Sequence, residues 1–175
     1  GYLVFEEGYH NANIVGVRSM VRAADSFDDT LWYCARDKWG HWYSLAWPVT
    51  TDPGLYYLRH PTRAAGTALL CAGQYRGSHG IGLHKGKYEA LRQQKNVTIT
   101  RDDNRDSKID RGGQRYTGIF GINIHKSYDA ENVGKYSAGC TVFKYDKDFD
   151  VFMALCRLSR YHWGNSFTYT LLEDT

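Results

Sequence analysis

The sequence predicts a β-rich α+β fold, and three observations predict it. Short runs of alternating or apolar residues, rich in Val, Ile, Tyr and Trp, recur along all 175 residues. Turn chemistry separates these runs, with 18 Gly against 3 Pro. Only two segments show helical spacing, so helices can cover a sheet here but cannot build the fold alone. A chain of this length can bury a sizeable core. No repeat, low-complexity tract or Pro/Ser linker divides it, so residues 1–175 read as a single domain.

Asn13–Arg18 (NIVGVR) reads as a short strand. Leu31–Cys34 and Trp42–Ala46 read as a strand pair around the turn Asp37-Lys-Trp-Gly40. Pro48 and Asp52-Pro-Gly54 break the chain. Leu55–Leu58 and Thr67–Cys71 read as further strands, and Tyr88–Gln94 as a short helix with Lys87 and Arg92 at its surface. Asn96–Arg101 alternates Val97 and Ile99 with Thr98 and Thr100, the period of a half-buried strand. Residues 102–110 form a polar loop, and Tyr116–His125 and Cys140–Lys144 read as buried strands. The strongest helix is Lys147–Tyr161, where Phe149, Phe152, Met153 and Cys156 recur at helical spacing. Asp146 is its expected cap, Asp148 and Asp150 lead it, Arg157 and Arg160 close it, and Gly164 stops it. Ser166–Leu172 is the final strand.

Several function classes are disfavoured. The net charge of +3 is small and dispersed, without the basic stripe of a nucleic-acid binder. No run of eighteen apolar residues occurs, so no integral membrane segment is expected. The chain opens at Gly1 rather than Met and shows no signal-peptide pattern, which leaves export open. Cys34, Cys71, Cys140 and Cys156 lack CxxC pairing and metal-ligand spacing, so neither a disulfide framework nor a zinc site is expected. Gly73 and Gly77 lack the Lys-Ser/Thr of a phosphate loop. Asp102, Asn104, Asp106 and Asp110 follow the spacing of a calcium loop. However, Ser107 stands where the sharp turn takes Gly, and Gly113 stands where the bidentate Glu belongs. With Arg101, Arg105, Lys108 and Arg111 among them, these residues read as a solvated acidic turn. No metal and no other cofactor is expected.

One constellation carries chemistry. Gly121-Ile-Asn-Ile-His125 ends an apolar run on a histidine, and Ser137-Ala-Gly-Cys140 ends a small-residue turn on a cysteine. A thiol becomes a competent nucleophile when an imidazole takes its proton. Ala138 and Gly139 allow close approach of backbone to substrate, and the N–H groups near Gly139 and Cys140 can face a developing oxyanion. Ser137 can either orient the imidazole or close the turn. His84 in Gly82-Leu-His-Lys-Gly86 lines a cleft or sits in a surface turn, and Tyr75 and Tyr136 line the same cleft or fill the core.

His125 followed by Ser137-Ala-Gly-Cys140 resembles the signature of the L,D-transpeptidase (YkuD-like) catalytic domain, a histidine followed by Ser/Thr-His-Gly-Cys. Ala138 replaces the inner histidine of the signature. The interval from His125 is on the short side, and Thr141-Val142-Phe143 has no Arg or Asn. The resemblance spans about residues 66–173, with residues 1–65 as an N-terminal β extension. Thr50-Thr-Asp-Pro-Gly54, Gly73-Gln-Tyr75 and Gly82-Leu-His84-Lys-Gly86 further resemble YkuD-like proteins of phages and of the Bacteroidetes group. The resemblance implies a β-sandwich with one or two packed helices. It implies a cysteine enzyme acting on peptidoglycan peptide stems at an L,D bond of meso-diaminopimelate, with Cys140 as nucleophile and His125 as base. Hydrolysis, as in an endolysin, is favoured over cross-linking. Such an enzyme works in the cell wall or periplasm, or is phage-encoded and released to the host envelope. A different reading is a non-catalytic wall-binding module built on Trp32, Trp39, Trp42 and Trp47.

Overall fold

The computed structural model describes residues 1–22 and 24–174. The fold is β-rich α+β, as expected. In place of the two open layers of a sandwich, its main sheet closes on itself. The barrel strands are β1 (Asn13–Arg18), β2 (Asp29–Arg36), β3 (Trp42–Thr50), β5 (Gly73–His84), β6 (Tyr88–Gln93), β9 (Ile124–Lys126), β10 (Thr141–Phe143) and β11 (Phe167–Glu173). Their order around the barrel is β1-β11-β5-β6-β9-β10-β3-β2. A second sheet has the order β4-β7-β8, built from Thr67–Leu70, Val97–Asp102 and Tyr116–Gly118. Two helices complete the chain, α1 (Leu55–Arg59) and α2 (Asp146–Trp163). Among the described residues no helix is long and apolar enough to cross a membrane.

The barrel alternates as strands must. Leu31, Tyr33 and Ala35 of β2 and Trp47 and Val49 of β3 are buried, while Trp32 and Trp42 stand outside. Strand β1 lies between β2 and β11, and β3 pairs with β10. The strands of residues 1–65 therefore belong to the same barrel as β5, β6, β9, β10 and β11. Helix α2 adds Phe149, Phe152, Met153 and Cys156 to the core, against Trp47 and Phe143. Val97 and Ile99 of the second sheet join the same core.

Three local expectations are corrected. Tyr88–Gln93 is strand β6, not a helix. Glu, Ala, Leu, Arg and Gln favour helix intrinsically, but pairing with β5 from His79↔Gln93 to His84↔Tyr88 overrides that preference. Leu55–Arg59 is helix α1, not a strand; the Asp25 carboxylate accepts the Leu55 N–H at 3.0 Å. Asp146 is the first residue of α2 rather than its cap. Its N–H donates to Asp129 Oδ1 at 2.8 Å, and its own carboxylate pairs with Lys126 Nζ at 2.7 Å.

Arg18, 1% exposed at the end of β1, ties the two sheets together. Its Nε donates to Thr51 Oγ1, Nη2 to Thr51 O and Nη1 to Leu70 O on β4, each at 2.9 Å. Asp52 lies 3.1 Å from Nε. A guanidinium buried this deeply is tolerated only because its donors are satisfied and a carboxylate neutralises it. Arg18→Ala should lower the unfolding free energy by about 3–5 kcal/mol in urea denaturation, the usual cost of breaking a buried ion pair from one side.

Candidate active site

Cys140, the residue before β10, and the buried His125 of β9 lie on neighbouring parallel segments of the barrel. Val142 pairs with His125 and Thr141 with Ile124, and the Thr141 N–H donates to Asn123 O at 3.0 Å. Ile124 and Phe143 face the core, and the Thr141 hydroxyl meets the buried Tyr169 hydroxyl at 2.9 Å. Alternation then turns Cys140, Asn123 and His125 to the outer face. One strand spacing and two residues of rise put the Cα atoms of Cys140 and His125 roughly 8 Å apart. Among the described residues the sulfur and the His125 ring share no hydrogen bond; Asn123 and His84 stand between them.

The sulfur is held by the loop that enters β9. The Cys140 S–H donates to Gly121 O at 3.3 Å, and the Asn123 N–H donates to Sγ at 3.4 Å. Burial pushes the thiol pKa up, against the Asn123 N–H and the Lys85 ammonium. The resting group is a neutral thiol, which agrees with its role as a donor.

His125 is buried, and its Nδ1 lies 3.0 Å from Lys126 O. A carbonyl only accepts, so Nδ1 carries the proton and Nε2 is the bare nitrogen. Burial, then the neighbouring His84, push its pKa down to about 3. His84 stacks on it with ring centroids 4.3 Å apart, and the Asn123 amide approaches His84 Nδ1 at 3.5 Å. His84 is lowered too, by burial and then by Lys85 and Arg92. The structure therefore joins Cys140, Asn123, His84 and His125 in one cluster, with both imidazoles neutral.

The turn itself is closed by Ser137. Its hydroxyl donates to Cys140 O at 2.8 Å and accepts the Gly139 N–H at 3.2 Å. Of the two roles open to Ser137, the turn closure is the one present. Gly139 has φ +113°, and a Cβ there would strike the carbonyl oxygen of Ala68 on β4, so only glycine fits. Its N–H, expected at an oxyanion, is occupied by Ser137. Among the described residues the N–H groups of Ala138 and Cys140 have no hydrogen bond and are the donors left for that task.

A cleft of about 170 Å³ opens beside the imidazoles, lined by His84, His125, Tyr88, Tyr128, Tyr136, Lys85, Lys87, Lys126 and Lys135. Asp146 neutralises Lys126. Lys85 and Lys87 have no acidic partner among the described residues, so the cleft favours an anion. Tyr136 thus stands at the cleft as expected. Tyr75 does not: its hydroxyl donates towards Cys71 O at 2.6 Å and Thr98 O at 3.1 Å, bridging to the second sheet, with burial raising its pKa to about 12. A larger basin of about 890 Å³, beside Arg101 and Arg111, shares no residue with the cluster.

Comparison with protein-family models, with curated proteins and with solved structures finds no match.

Sequence reasoning missed three residues that hold the site. Asn123 touches the sulfur through its N–H, and alternation in Gly121-Ile-Asn-Ile-His already placed it on the face of His125. Gln93 Oε1 accepts the Phe120 and Ile122 N–H groups, both at 3.0 Å. His79, fully enclosed, contacts Ile122 O through Nε2 at 2.9 Å and Ser78 Oγ through Nδ1 at 2.8 Å. Neither Gln93 nor His79 has a sequence signal, since each acts across the barrel.

Two predictions follow from these protonation states. Iodoacetamide labelling of Cys140, followed by mass spectrometry across pH, should rise with a midpoint above that of a free thiol. A plateau near neutral pH would indicate a thiolate–imidazolium pair instead. Burial holds the pKa of His79 down at about 4, and that of His125 at about 3. Below about pH 6.5 the unfolded chain therefore binds protons that the folded chain refuses. Stability should fall as pH drops from 6.5 towards 4, by about 1.4 kcal/mol per pH unit for each of the two histidines. Denaturant titrations at stepped pH measure the slope, and His79→Gln should remove about half of it.

Proposed function

We propose that this protein is a cysteine acyl-transfer enzyme that cleaves peptidoglycan peptide stems at an L,D bond of meso-diaminopimelate. The observation that carries the reading is the shared outer face of Cys140 and His125 on two paired parallel strands. The bare Nε2 of His125 takes the thiol proton as sulfur attacks the substrate carbonyl. A C–S bond forms, the tetrahedral oxygen takes donors from the Cys140 turn, and the C–N bond breaks as the imidazolium returns its proton to the leaving amine. Water then enters, His125 takes its proton, and the C–S bond breaks to release the acid and restore the thiol.

The neutral resting pair suits this sequence, because charge separation occurs only once substrate fills the site. Diaminopimelate stems carry several carboxylates, and the lysines of the small cleft match them. The substrate class rests on the resemblance to the L,D-transpeptidase domain. Such an enzyme works in the bacterial envelope, where a phage-encoded form would open the wall from the host cell.

Three exposed indoles support wall contact as a separate, non-catalytic capacity. Trp32 and Trp42 project from the outer face of the β2–β3 pair and Trp39 from its turn, with Arg36 over Trp42 and Lys38 over Trp39. Trp47 is buried in the core and takes no part.

Incubation with diaminopimelate-type muropeptides, with products read by mass, tests the reading. Loss of a terminal residue or of a dimer is expected. Cys140→Ala should lower the rate at least about 10³-fold, as removal of a nucleophile does. New dimers would assign cross-linking instead. Full activity in Cys140→Ala, or wall binding without any turnover, would overturn the proposed chemistry.

A further inference from the structure

The loop from Asp102 to Asp110, between β7 and β8, carries four carboxylates and one carboxamide in nine residues. By composition the flanking cations dilute its charge, but the structure directs two of them elsewhere. Arg101 donates to Gly66 O at 2.7 Å and lies against the rings of Tyr116 and Phe120. Arg111 donates to Ser19 O, Val21 O and Asp52. No ion pair among the described residues includes Asp102, Asp103, Asp106 or Asp110.

Asp102 provides a second and independent sign. It is only 1% exposed, and its Oδ1 is buried without a hydrogen-bond partner. Its Oδ2 accepts the Asp110 N–H at 2.9 Å, so the carboxyl group faces into the loop. A buried carboxylate oxygen without a donor is costly, and it marks a place where something positive belongs. The Asn104 amide stands between two further carboxylates, 2.7 Å from Asp110 Oδ2 and 3.2 Å from Asp106 Oδ2. An NH₂ group fills the space that these oxygens surround.

We infer that this loop binds a calcium ion. Asp102, Asn104, Asp106, the Lys108 carbonyl and Asp110 occupy positions 1, 3, 5, 7 and 9 of an oxygen-ligand loop. Rotation of the Asn104 amide exchanges its NH₂ for its oxygen once a cation balances Asp106 and Asp110. Ile109, buried against Leu58 and Leu69, pins the loop to the protein. Among the described residues no three acidic side chains are placed to share an ion, so binding requires the Asp106 and Asp110 side chains to turn towards Asp102. Position 12 is Gly113, without the bidentate acid, and water completes the shell. A site of this kind falls in the weak range, with Kd of about 10⁻⁴–10⁻³ M.

Calcium chloride titrated into the 175-residue protein, followed by backbone amide NMR, tests the site. Shifts concentrated at residues 102–110 and saturating in the millimolar range are expected. Ten millimolar calcium should also raise Tm by about 3–8 °C. Asp106→Asn with Asp110→Asn should raise Kd at least about tenfold while melting like wild type without calcium. No localised shift at 10 mM calcium, an equal response to magnesium, or unchanged affinity in the double variant would overturn the site. None of these readouts depends on the muropeptide reaction.

Discussion

The structure depends on how one seam of the barrel is closed. Strands β6 and β9 share a single backbone pair, Leu91 with Ile124. Carboxamides do the rest. Gln93 Oε1 takes the N–H groups of Phe120 and Ile122, the Gln93 N–H goes to Asn123 Oδ1 at 2.9 Å, and Gln93 Nε2 donates to Lys95 O and Gly118 O, both at 2.8 Å. Buried backbone groups must find partners, and a regular ladder would have bonded them strand to strand. Here the side chains satisfy them. The Gly121 carbonyl and the Asn123 N–H are thereby left to meet the sulfur. An irregular strand entry, not a regular one, makes room for the Cys140 thiol.

The same arrangement sets the electrostatics. The Cys140 thiol, His84 and His125 all sit where burial disfavours charge. Stacked imidazoles cannot both protonate cheaply, and the nearby Lys85 opposes a proton on either ring. The cluster therefore stores its reactivity as a neutral pair. The lysines, by contrast, stand at the rim of the cleft. The cluster thus combines a buried, uncharged centre with a lysine-lined edge.

The sequence made much of this legible, unevenly. Alternation located β1, β2, β3 and β7, because one face of each is buried. Periodicity found α2, whose apolar stripe meets the core at Phe149, Phe152 and Met153. The Cys140 turn was readable because its chemistry is local: Ser137, Gly139 and Cys140 are near neighbours. Strand β5 was not readable. Four glycines in Gly73–His84 suggest a loop, yet a Cβ at Gly80 would collide with the Gln94 amide and one at Gly82 would crowd Arg92. Those glycines admit neighbouring side chains rather than end a strand. Strand β6 was misjudged for the opposite reason, since good helix formers yield to two flanking strands. Barrel closure was hidden altogether, because it is set by pairings between distant segments such as β1 with β11.

The contact between Gly139 and Ala68 links the two sheets in an unexpected way. Ala68 pairs with Arg101 and Thr67 with Asp102 in the β4–β7 ladder. The nucleophile turn thus rests on a strand whose partner leads directly into the acidic loop. Displacement of β4 by even a fraction of an ångström would press on a backbone that has no side chain to yield. The small outer sheet thus forms the floor beneath the turn that carries Cys140.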